Sequence, residues 1–268
     1  MAYFDQSAFA IRCEWGRAAL DHIAPGQVVV VVDVLSFTTC IDIALSRKVT
    51  VLPYAWKDDT ARAYAAQHDA ALAEPREQPD GAYSLSPSTL LNAPPGLRLV
   101  LPSPNGSAIA FAARAGGARV VAGALRNAAA VATWAQQCGT PIVVIPAGEQ
   151  WPNGSLRPAL EDLIGAGAVI SRLAGERSPE AAMAAAGFEH AADELIEHIS
   201  ACSSGRELID RGFRRDVELA CALNVSRIVP VLEGSAFVDI AGSCGDYDSV
   251  VDRTSQSPNT ALEQARDA

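Results

Sequence analysis

The chain has 268 residues, of which 49% are hydrophobic, and this content excludes a largely disordered protein. A formal net charge of −10 argues against a protein that grips nucleic acid or an anionic membrane through a broad basic face, so we expect neither partner. The length permits one α/β unit or two fused smaller units around a large core.

The cysteines and the N-terminus indicate the compartment. Six cysteines are scattered without CxxC spacing, in a chain much longer than disulfide-stapled miniature domains. The first residues lack a basic region followed by an apolar signal segment, and no apolar run approaches the roughly 20 residues of a membrane span. We therefore expect a cytoplasmic protein with reduced thiols. The sequence does not decide the oligomeric state, and a homodimer is one assembly that it permits.

The first strong pattern along the chain is a run of five valines, Val28–Val32, which ends at Asp33. An unbroken β-branched run predicts a strand buried on both faces. Ser36-Phe37-Thr38-Thr39 and the apolar residues 40–45 follow, and they predict a turn and then a helix.

This pattern of strand, loop and helix recurs. Residues 97–101 precede a polar loop and a helix after Ser107, and residues 142–145 precede a long loop and a helix over about 158–173. Further strands are predicted from the shorter apolar runs 49–52, 119–122 and 228–232. Alternating strands and helices predict a three-layer α/β/α fold with a mainly parallel or mixed sheet.

The rest of the chain has little strand character. Residues 176–212 are rich in Ala, Glu and His and fit a helical excursion. We expect one α/β domain over residues 1–252, with two fused sub-units as the alternative, and a polar C-terminal tail over residues 253–268.

The loop Ser103-Pro104-Asn105-Gly106-Ser107 is a candidate anion site. Ligands of such folds collect beyond the carboxyl ends of the strands, where this loop, Asp33 and the loop at residues 146–157 are all predicted to lie. Free backbone N–H groups, the two serine hydroxyls and the positive end of the following helix would together favour a phosphate.

Asp33 is the first candidate for chemistry, because a carboxylate at the end of a buried strand is costly without a cation or donors. The alternative is an N-cap that accepts backbone N–H groups of the next helix. The hydroxyls of Thr38 and Thr39 would either donate to the same site or stabilise the helix start.

The loop after the third strand brings Glu149 and Arg157 to the helix that carries Glu161 and Asp162. Arg157 would hold a phosphate or carboxylate in a forked contact. The paired acids suit the helix dipole alone, but two of them beside a Gly/Ser loop also suit Mg²⁺, which prefers oxygen ligands. Adjacent helical residues point about 100° apart, so we expect one of the two to face the site.

Other candidates are weaker. Asp216 and Glu218 are expected on a solvated helix face, and Cys221 is expected to be a buried structural thiol, because no base or phosphatase-type loop surrounds it in the sequence. The patterns GxGxxG, GxxxxGK[ST] and GxSxG are absent, which argues against the usual NAD-binding, P-loop and serine hydrolase sites.

With these residues considered, the chain resembles the 2-phosphosulfolactate phosphatase (ComB-like) family from about Val28 to Asp239. The segments that carry the resemblance occur in the family's order: Val31-Val32-Asp33-Val34-Leu35 with Thr38-Thr39, Leu101 to Ser107, Leu156 to Gly167, and Asp216-Val217 with Cys221. The resemblance implies an α/β fold and Mg²⁺-dependent hydrolysis of a phosphate monoester of a small acid, such as 2-phospho-3-sulfolactate.

One departure concerns the substrate. The family commonly has Arg-Ala where this chain has Ser36-Phe37, and we consider Arg157 or Arg126 as compensating cations. Our hypothesis is a phosphatase in which Asp33 and Glu161 or Asp162 hold Mg²⁺. In this hypothesis the substrate is bound by Thr38, Thr39, Ser103, Asn105, Gly106, Ser107 and Arg157.

The catalytic residues would be Asp33 and Glu161, with water as the nucleophile or Asp33 attacking directly. The alternatives are phosphoryl transfer or isomerisation on a small phosphorylated acid, and a non-catalytic module of the same fold that binds phosphorylated metabolites.

Overall fold

The computed structural model describes residues 4–55, 59–77 and 83–241, which form a nine-stranded sheet with helices on both faces. The strands of the sheet are β1 (Ile11–Cys13), β2 (Val28–Val32), β3 (Thr50–Tyr54), β4 (Ala71–Leu72), β5 (Arg98–Pro102), β6 (Arg119–Gly123), β7 (Ile142–Pro146), β10 (Pro230–Glu233) and β11 (Ala236–Asp239). Two short strands, β8 (Glu149–Gln150) and β9 (Leu156–Arg157), pair with each other outside the sheet. The predicted three-layer α/β/α fold is confirmed.

The helices alternate with these strands over most of the chain. They are α1 (Phe37–Ser46), α2 (Asp59–Gln67), α3 (Pro87–Leu90), α4 (Gly106–Ala115), α5 (Ala128–Cys138), α6 (Leu160–Ile170), α7 (Pro179–Ala191), α8 (Leu195–Ala201), α9 (Ser203–Asp210) and α10 (Arg214–Ala220). Within the described ranges, no helix is both long enough and apolar enough to cross a bilayer.

The sheet is mixed, and its strand order is β1-β7-β2-β6-β10-β11-β3-β5-β4. The strands on either side of the β10–β11 hairpin form two parallel groups, and the hairpin joins them by antiparallel pairs. The apolar run at 228–232 therefore supplies a central antiparallel strand.

Strand β2 explains why five valines in a row are needed. Val28, Val30 and Val32 pack into the core with α5, α6 and α7, whereas Val29 and Val31 pack into the opposite core with α1 and α4. All five are buried, because the strand has helices over both of its faces. The alternation of the pleat thus divides one apolar run between two cores.

The loop that follows β5 carries the chain back across the sheet. Four strands lie between β2 and β5 in the sheet order, yet α4 packs against β2, β3 and β6. Gly106 at the start of α4 consequently reaches Asp33 at the end of β2. This return brings together two loops that the strand order alone would keep apart.

Several elements differ from the sequence-based expectation. The sequence did not indicate β1 and β11, which have only three and four residues. The helical excursion at 176–212 is confirmed by α7, α8 and α9. The single domain over residues 1–252 stays a prediction, and the tail over residues 253–268 lies outside the described residues.

The α6–α7 contact generates a stability prediction. Gly167 on α6 lies so close to α7 that a Cβ there would be 2.0 Å from the carbonyl oxygen of Ala184. Gly167→Ala should therefore push two helix backbones apart and lower the free energy of unfolding by about 2 kcal/mol or more, measured by urea denaturation.

Gly187→Ala on α7 is the matched control, because no heavy atom lies within 4 Å of the added Cβ. It should leave stability unchanged or raise it by about 0.5–1 kcal/mol, since Ala is favoured over Gly inside a helix. Equal unfolding free energies for the two variants would contradict this account of the helix contact.

Candidate active site

Asp33 is the centre of the site and is 7% exposed. Its Oδ1 accepts the backbone N–H of Phe37 at 3.2 Å, and its Oδ2 accepts the backbone N–H of Gly106 at 3.0 Å. These two N–H groups belong to the first residues of α1 and α4, so the Asp33 carboxylate lies at two helix N-termini. Asp33 therefore accepts backbone N–H groups as the N-cap alternative predicted, but at two helices, whose N-cap residues are Ser36 and Asn105.

The hydroxyls of the predicted site are bonded within the protein. Thr38 Oγ1 donates to the carbonyl of Asp33 and Thr39 Oγ1 donates to the carbonyl of Val34, both at 2.8 Å. These are helix-start contacts, one of the two alternatives that the sequence left open. A part for either threonine in binding substrate stays a prediction.

The 103–107 loop lies against Asp33, as its position after a strand predicts. Ser103 Oγ is 3.5 Å from Asp33 Oδ2, whereas Ser107 Oγ shares its one proton between the carbonyls of Tyr54 and Ser103. The anion that the start of α4 binds in this structure is the Asp33 carboxylate. Phosphate binding by this loop stays a prediction.

Helix α6 brings both of its acids into the protein interior. Asp162 Oδ1 accepts the N–H of Val34 at 2.7 Å and its Oδ2 accepts the N–H of Gly148 at 2.9 Å, so this side chain ties the loop after β2 to the loop after β7. Glu161 is also buried, and its Oε2 accepts from the thiol of Cys202 at 3.2 Å.

Glu149 and Arg157 lie opposite each other in the β8–β9 hairpin. Glu149 Oε2 accepts from Asn105 Nδ2 at 3.0 Å, which joins the hairpin to the 103–107 loop. Arg157 Nη2 donates to Ser204 Oγ at 3.3 Å, and its guanidinium lies 5.8 Å from the centre of the Trp151 ring. The three predicted loops therefore meet in one place.

The carboxylates of this cluster repel one another. Burial, Asp33 and Glu161 raise the pKa of Glu149 to about 7, against the opposing effects of Asn105 and Arg157. The same causes raise the pKa of Asp162 well above its ordinary value, and its two backbone amide donors oppose the rise. The cluster thus buries several carboxylates close together, and a bound cation would reduce the repulsion between them.

The donor set suits a cation that keeps part of its water shell. Among the described residues, no three or more His, Cys, Asp and Glu side chains form a group that could hold a metal ion. Mg²⁺ does not need such a group, because it is usually held by one or two carboxylates together with water and a substrate phosphate. Both oxygens of Asp33 and both of Asp162 already accept a backbone N–H group. Each of these oxygens keeps a second lone pair, so either carboxylate would suit this pattern beside Glu161.

Arg126 and Arg76 have different partners. Arg126, considered above as a compensating cation, donates to buried Asp42 at 2.7 Å and to the carbonyl of Leu219, so it belongs to a separate ion pair. The residue that reaches Ser36 is Arg76, whose Nη2 donates to Ser36 Oγ. No motif in the sequence singled out Arg76, because 40 residues separate it from its partner.

The expectation for Asp216 is wrong. Its side chain is 1% exposed, and it accepts from Ser86 Oγ at 2.5 Å and from the N–H of Ser88 at 3.1 Å, so it does not lie on a solvated face. Glu218 does lie there, paired with Arg215 at the surface. Cys221 is the buried thiol expected, and burial raises its pKa to about 12.

The raised pKa of Glu149 predicts a pH dependence of stability. The folded protein binds this proton more tightly than the unfolded chain, whose glutamate has the ordinary pKa of 4.5. Stability without metal should therefore fall as pH rises from about 4.5 to about 7, by on the order of 3 kcal/mol from this group. Urea denaturation in EDTA across this range measures the fall.

Glu149→Gln should flatten the fall, because the amide does not ionise. The control is Glu189→Gln on α7, where the side chain is exposed and its removal should leave the pH dependence as in the wild type. An unchanged slope for Glu149→Gln would show that Glu149 does not carry this charge penalty.

Two comparisons with known proteins indicate the family of the chain. A protein from Carboxydothermus hydrogenoformans, described as a probable 2-phosphosulfolactate phosphatase, is 35% identical over 140 residues. The match covers 50% of this chain and 55% of the relative, so the chain aligns with about half the length of that protein. A sequence model of the 2-phosphosulpholactate phosphatase family matches residues 17–235, which include every element of the site described above. The chain therefore belongs to the 2-phosphosulpholactate phosphatase family.

Proposed function

We propose that the protein is a Mg²⁺-dependent phosphatase that hydrolyses 2-phospho-3-sulfolactate, or a similar phosphorylated small acid, to 3-sulfolactate and inorganic phosphate. The observation that carries the proposal is the meeting of Asp33, Glu149 and Glu161 with the 103–107 loop at one edge of the sheet. Family membership and the description of the Carboxydothermus relative support the substrate class.

Asp33 and Glu161 would hold the Mg²⁺ ion through their carboxylate oxygens. Bound there, the ion would polarise the phosphoryl oxygens and screen the charge of an anionic substrate from this acidic protein. Asp162 would position both ligands: it follows Glu161 in α6 and fixes the N–H of Val34, the residue next to Asp33. A direct ligand role for Asp162 stays a prediction.

The phosphate would lie between the 103–107 loop and the β8–β9 hairpin. Asn105 already contacts Glu149 across this gap, and Arg157 is opposite Glu149 in the hairpin. The guanidinium of Arg157 presents several N–H donors in a forked arrangement that matches a phosphate. Asn105, Gly106 and the two serines of the loop would limit where the phosphoryl group can lie.

Two routes for the displacement fit this arrangement. In the first, Asp33 orients a water molecule that attacks phosphorus, the P–O bond to the substrate breaks, and the substrate oxygen takes a proton and leaves as a hydroxyl group. In the second, Asp33 Oδ attacks phosphorus, the P–O bond to the substrate breaks, and water then hydrolyses the aspartyl-phosphate. The two amides that hold Asp33 would restrict its rotation in either case. Phosphorylated Asp33 in acid-quenched enzyme would identify the second route.

The first test of this function is phosphate release from a panel of small phosphorylated acids, with Mg²⁺ and then with EDTA. We expect release from 2-phospho-3-sulfolactate, and its loss on chelation, because the carboxylate cluster would lack its cation. Phosphoglycolate is the comparison compound without a sulfonate.

Release that persists in EDTA would contradict the role of Mg²⁺. No release from any compound would favour the non-catalytic binding module, and a requirement for an acceptor molecule would favour phosphoryl transfer.

The second test removes the proposed metal ligands. Asp33→Ala should lower kcat by about 10³-fold, as expected when a group that stabilises transition-state charge is lost. Glu161→Gln should have a similar effect, since the amide keeps an acceptor for Cys202 but loses its charge. Both are measured by steady-state phosphate release.

The control is Asp193→Asn, at an exposed aspartate away from the cluster, which should keep wild-type turnover. Circular dichroism and urea denaturation would verify that each variant is folded. Wild-type turnover in folded Asp33→Ala would exclude the proposed metal site.

A further inference from the structure

A cavity of about 340 Å³ adjoins the candidate active site. It is lined by residues of α2 and β4, the segment after β4, the end of β5 and the segment after α9. Its volume lies within the range for pockets that hold small molecules. Pro102 at its wall directly precedes Ser103, whose hydroxyl is 3.5 Å from Asp33 Oδ2. The cavity is thus a neighbour of the proposed phosphate position.

Two of the three arginines in the cavity wall have carboxylate partners there. Arg62 is 3.4 Å from Glu74, and Arg211 pairs with Glu77 and also with Glu207 at 2.8 Å. Their charges are matched at the surface, where such pairs are weak and exchange readily with water. Arg62 and Arg211 are therefore already paired with carboxylates at the surface.

Arg76, the third arginine, is bonded differently. Its Nη2 donates to Ser36 Oγ and to the carbonyl of Leu85, both uncharged acceptors. Its Nε is inaccessible to solvent, has no hydrogen-bond acceptor among the described residues, and forms a long ion pair of 3.8 Å with Oδ2 of the buried Asp216, which lies outside the cavity wall. In the same part of the chain, no acceptor is found for its Nη1.

The environment of Arg76 fixes the plane of its guanidinium. The side chain is only 12% exposed, and the ring of Phe213 lies 5.6 Å from the guanidinium carbon. Asp216, the nearest carboxylate, is already bonded to Ser86 and Ser88. A rigid guanidinium whose Nη1 still has N–H donors to give is suited to binding an oxyanion from the cavity wall.

Arg76 also connects the cavity to the loop after β2. Its partner Ser36 is three residues after Asp33 and directly precedes Phe37, whose N–H binds the Asp33 carboxylate. A molecule with its phosphate near the 103–107 loop and an acid group in the cavity would therefore span a short distance between two anion-binding groups.

We propose that Arg76 is a specificity-determining residue that binds the acid group, a carboxylate or sulfonate, of the phosphorylated acid in this cavity. This inference rests on the proposed function. Arg157 and the 103–107 loop then bind the phosphate, and Arg76 selects substrates that carry a second anion. A phosphate monoester without an acid group would leave the Arg76 Nη1 without an acceptor.

The test uses calorimetric titration of the full chain in Mg²⁺ with 3-sulfolactate and, separately, with inorganic phosphate. Arg76→Gln should weaken binding of 3-sulfolactate at least tenfold, equal to about 1.4 kcal/mol, and change phosphate binding less than twofold. Arg76→Lys should weaken binding of 3-sulfolactate as well, because the shorter side chain places no N–H donor where Nη1 lies, while it keeps the charge opposite Asp216. Arg215→Gln on α10 is the exposed control and should bind like the wild type.

Lactate and 2-hydroxyethanesulfonate distinguish the two acid groups. If Arg76→Lys lowers the affinity for lactate, Arg76 binds the carboxylate. If it lowers the affinity for 2-hydroxyethanesulfonate, Arg76 binds the sulfonate. Either result supports the proposal.

The proposal is overturned if the wild type does not bind 3-sulfolactate, or if the folded Arg76→Lys variant binds it as the wild type does. An equal loss of 3-sulfolactate and phosphate affinity also overturns it, since Arg76 would then be structural or a phosphate ligand. These titrations need no turnover. A protein that releases no phosphate but binds 3-sulfolactate through Arg76 would contradict the proposed function and keep this inference.

Discussion

The position of the Asp33 carboxylate between two helix N-termini is the constraint on which the rest of the site depends. Each helix start presents backbone N–H groups that lack partners within the helix, and one carboxylate accepts from both. This shared acceptor fixes the loop after β2 against the loop after β5. Gly106 has to be a glycine here, because a Cβ would lie 2.7 Å from Asp33 Oδ2 and 2.4 Å from the Phe37 ring.

Local sequence patterns predicted the framework well for a physical reason. A β-branched run such as Val28–Val32 is typical of a strand covered on both faces, and Asp33 at its end is then placed at the carboxyl edge of the sheet. The meeting of the three loops followed from the parallel strands that precede them. The hydrogen-bond partners of the hydroxyl groups in the site could not be predicted from the sequence. Small polar side chains such as Thr38 and Ser107 can bond equally well to a ligand or to a nearby carbonyl.

Long-range contacts explain the remaining differences. Asp216 was expected in solvent, because a charged residue near other charged residues on a short helix usually is. It is buried because Ser86, Ser88 and Arg76 approach it from parts of the chain about 130 or more residues away. Arg76 follows no periodic pattern and ends no strand. Its importance became visible only when the fold placed it beside Ser36.

The β10–β11 hairpin has a consequence for how the chain is made. It joins the two parallel groups of strands, and only one residue pair registers at each of its outer borders, Val231 with Val121 and Phe237 with Val51. Residues 230–239 are synthesised after every other strand of the sheet. Until they emerge from the ribosome, β6 and β3 each have an unpaired edge of the kind that recruits foreign strands. Premature termination before residue 230 would therefore leave two groups of parallel strands with unpaired edges, and we expect such a chain to aggregate.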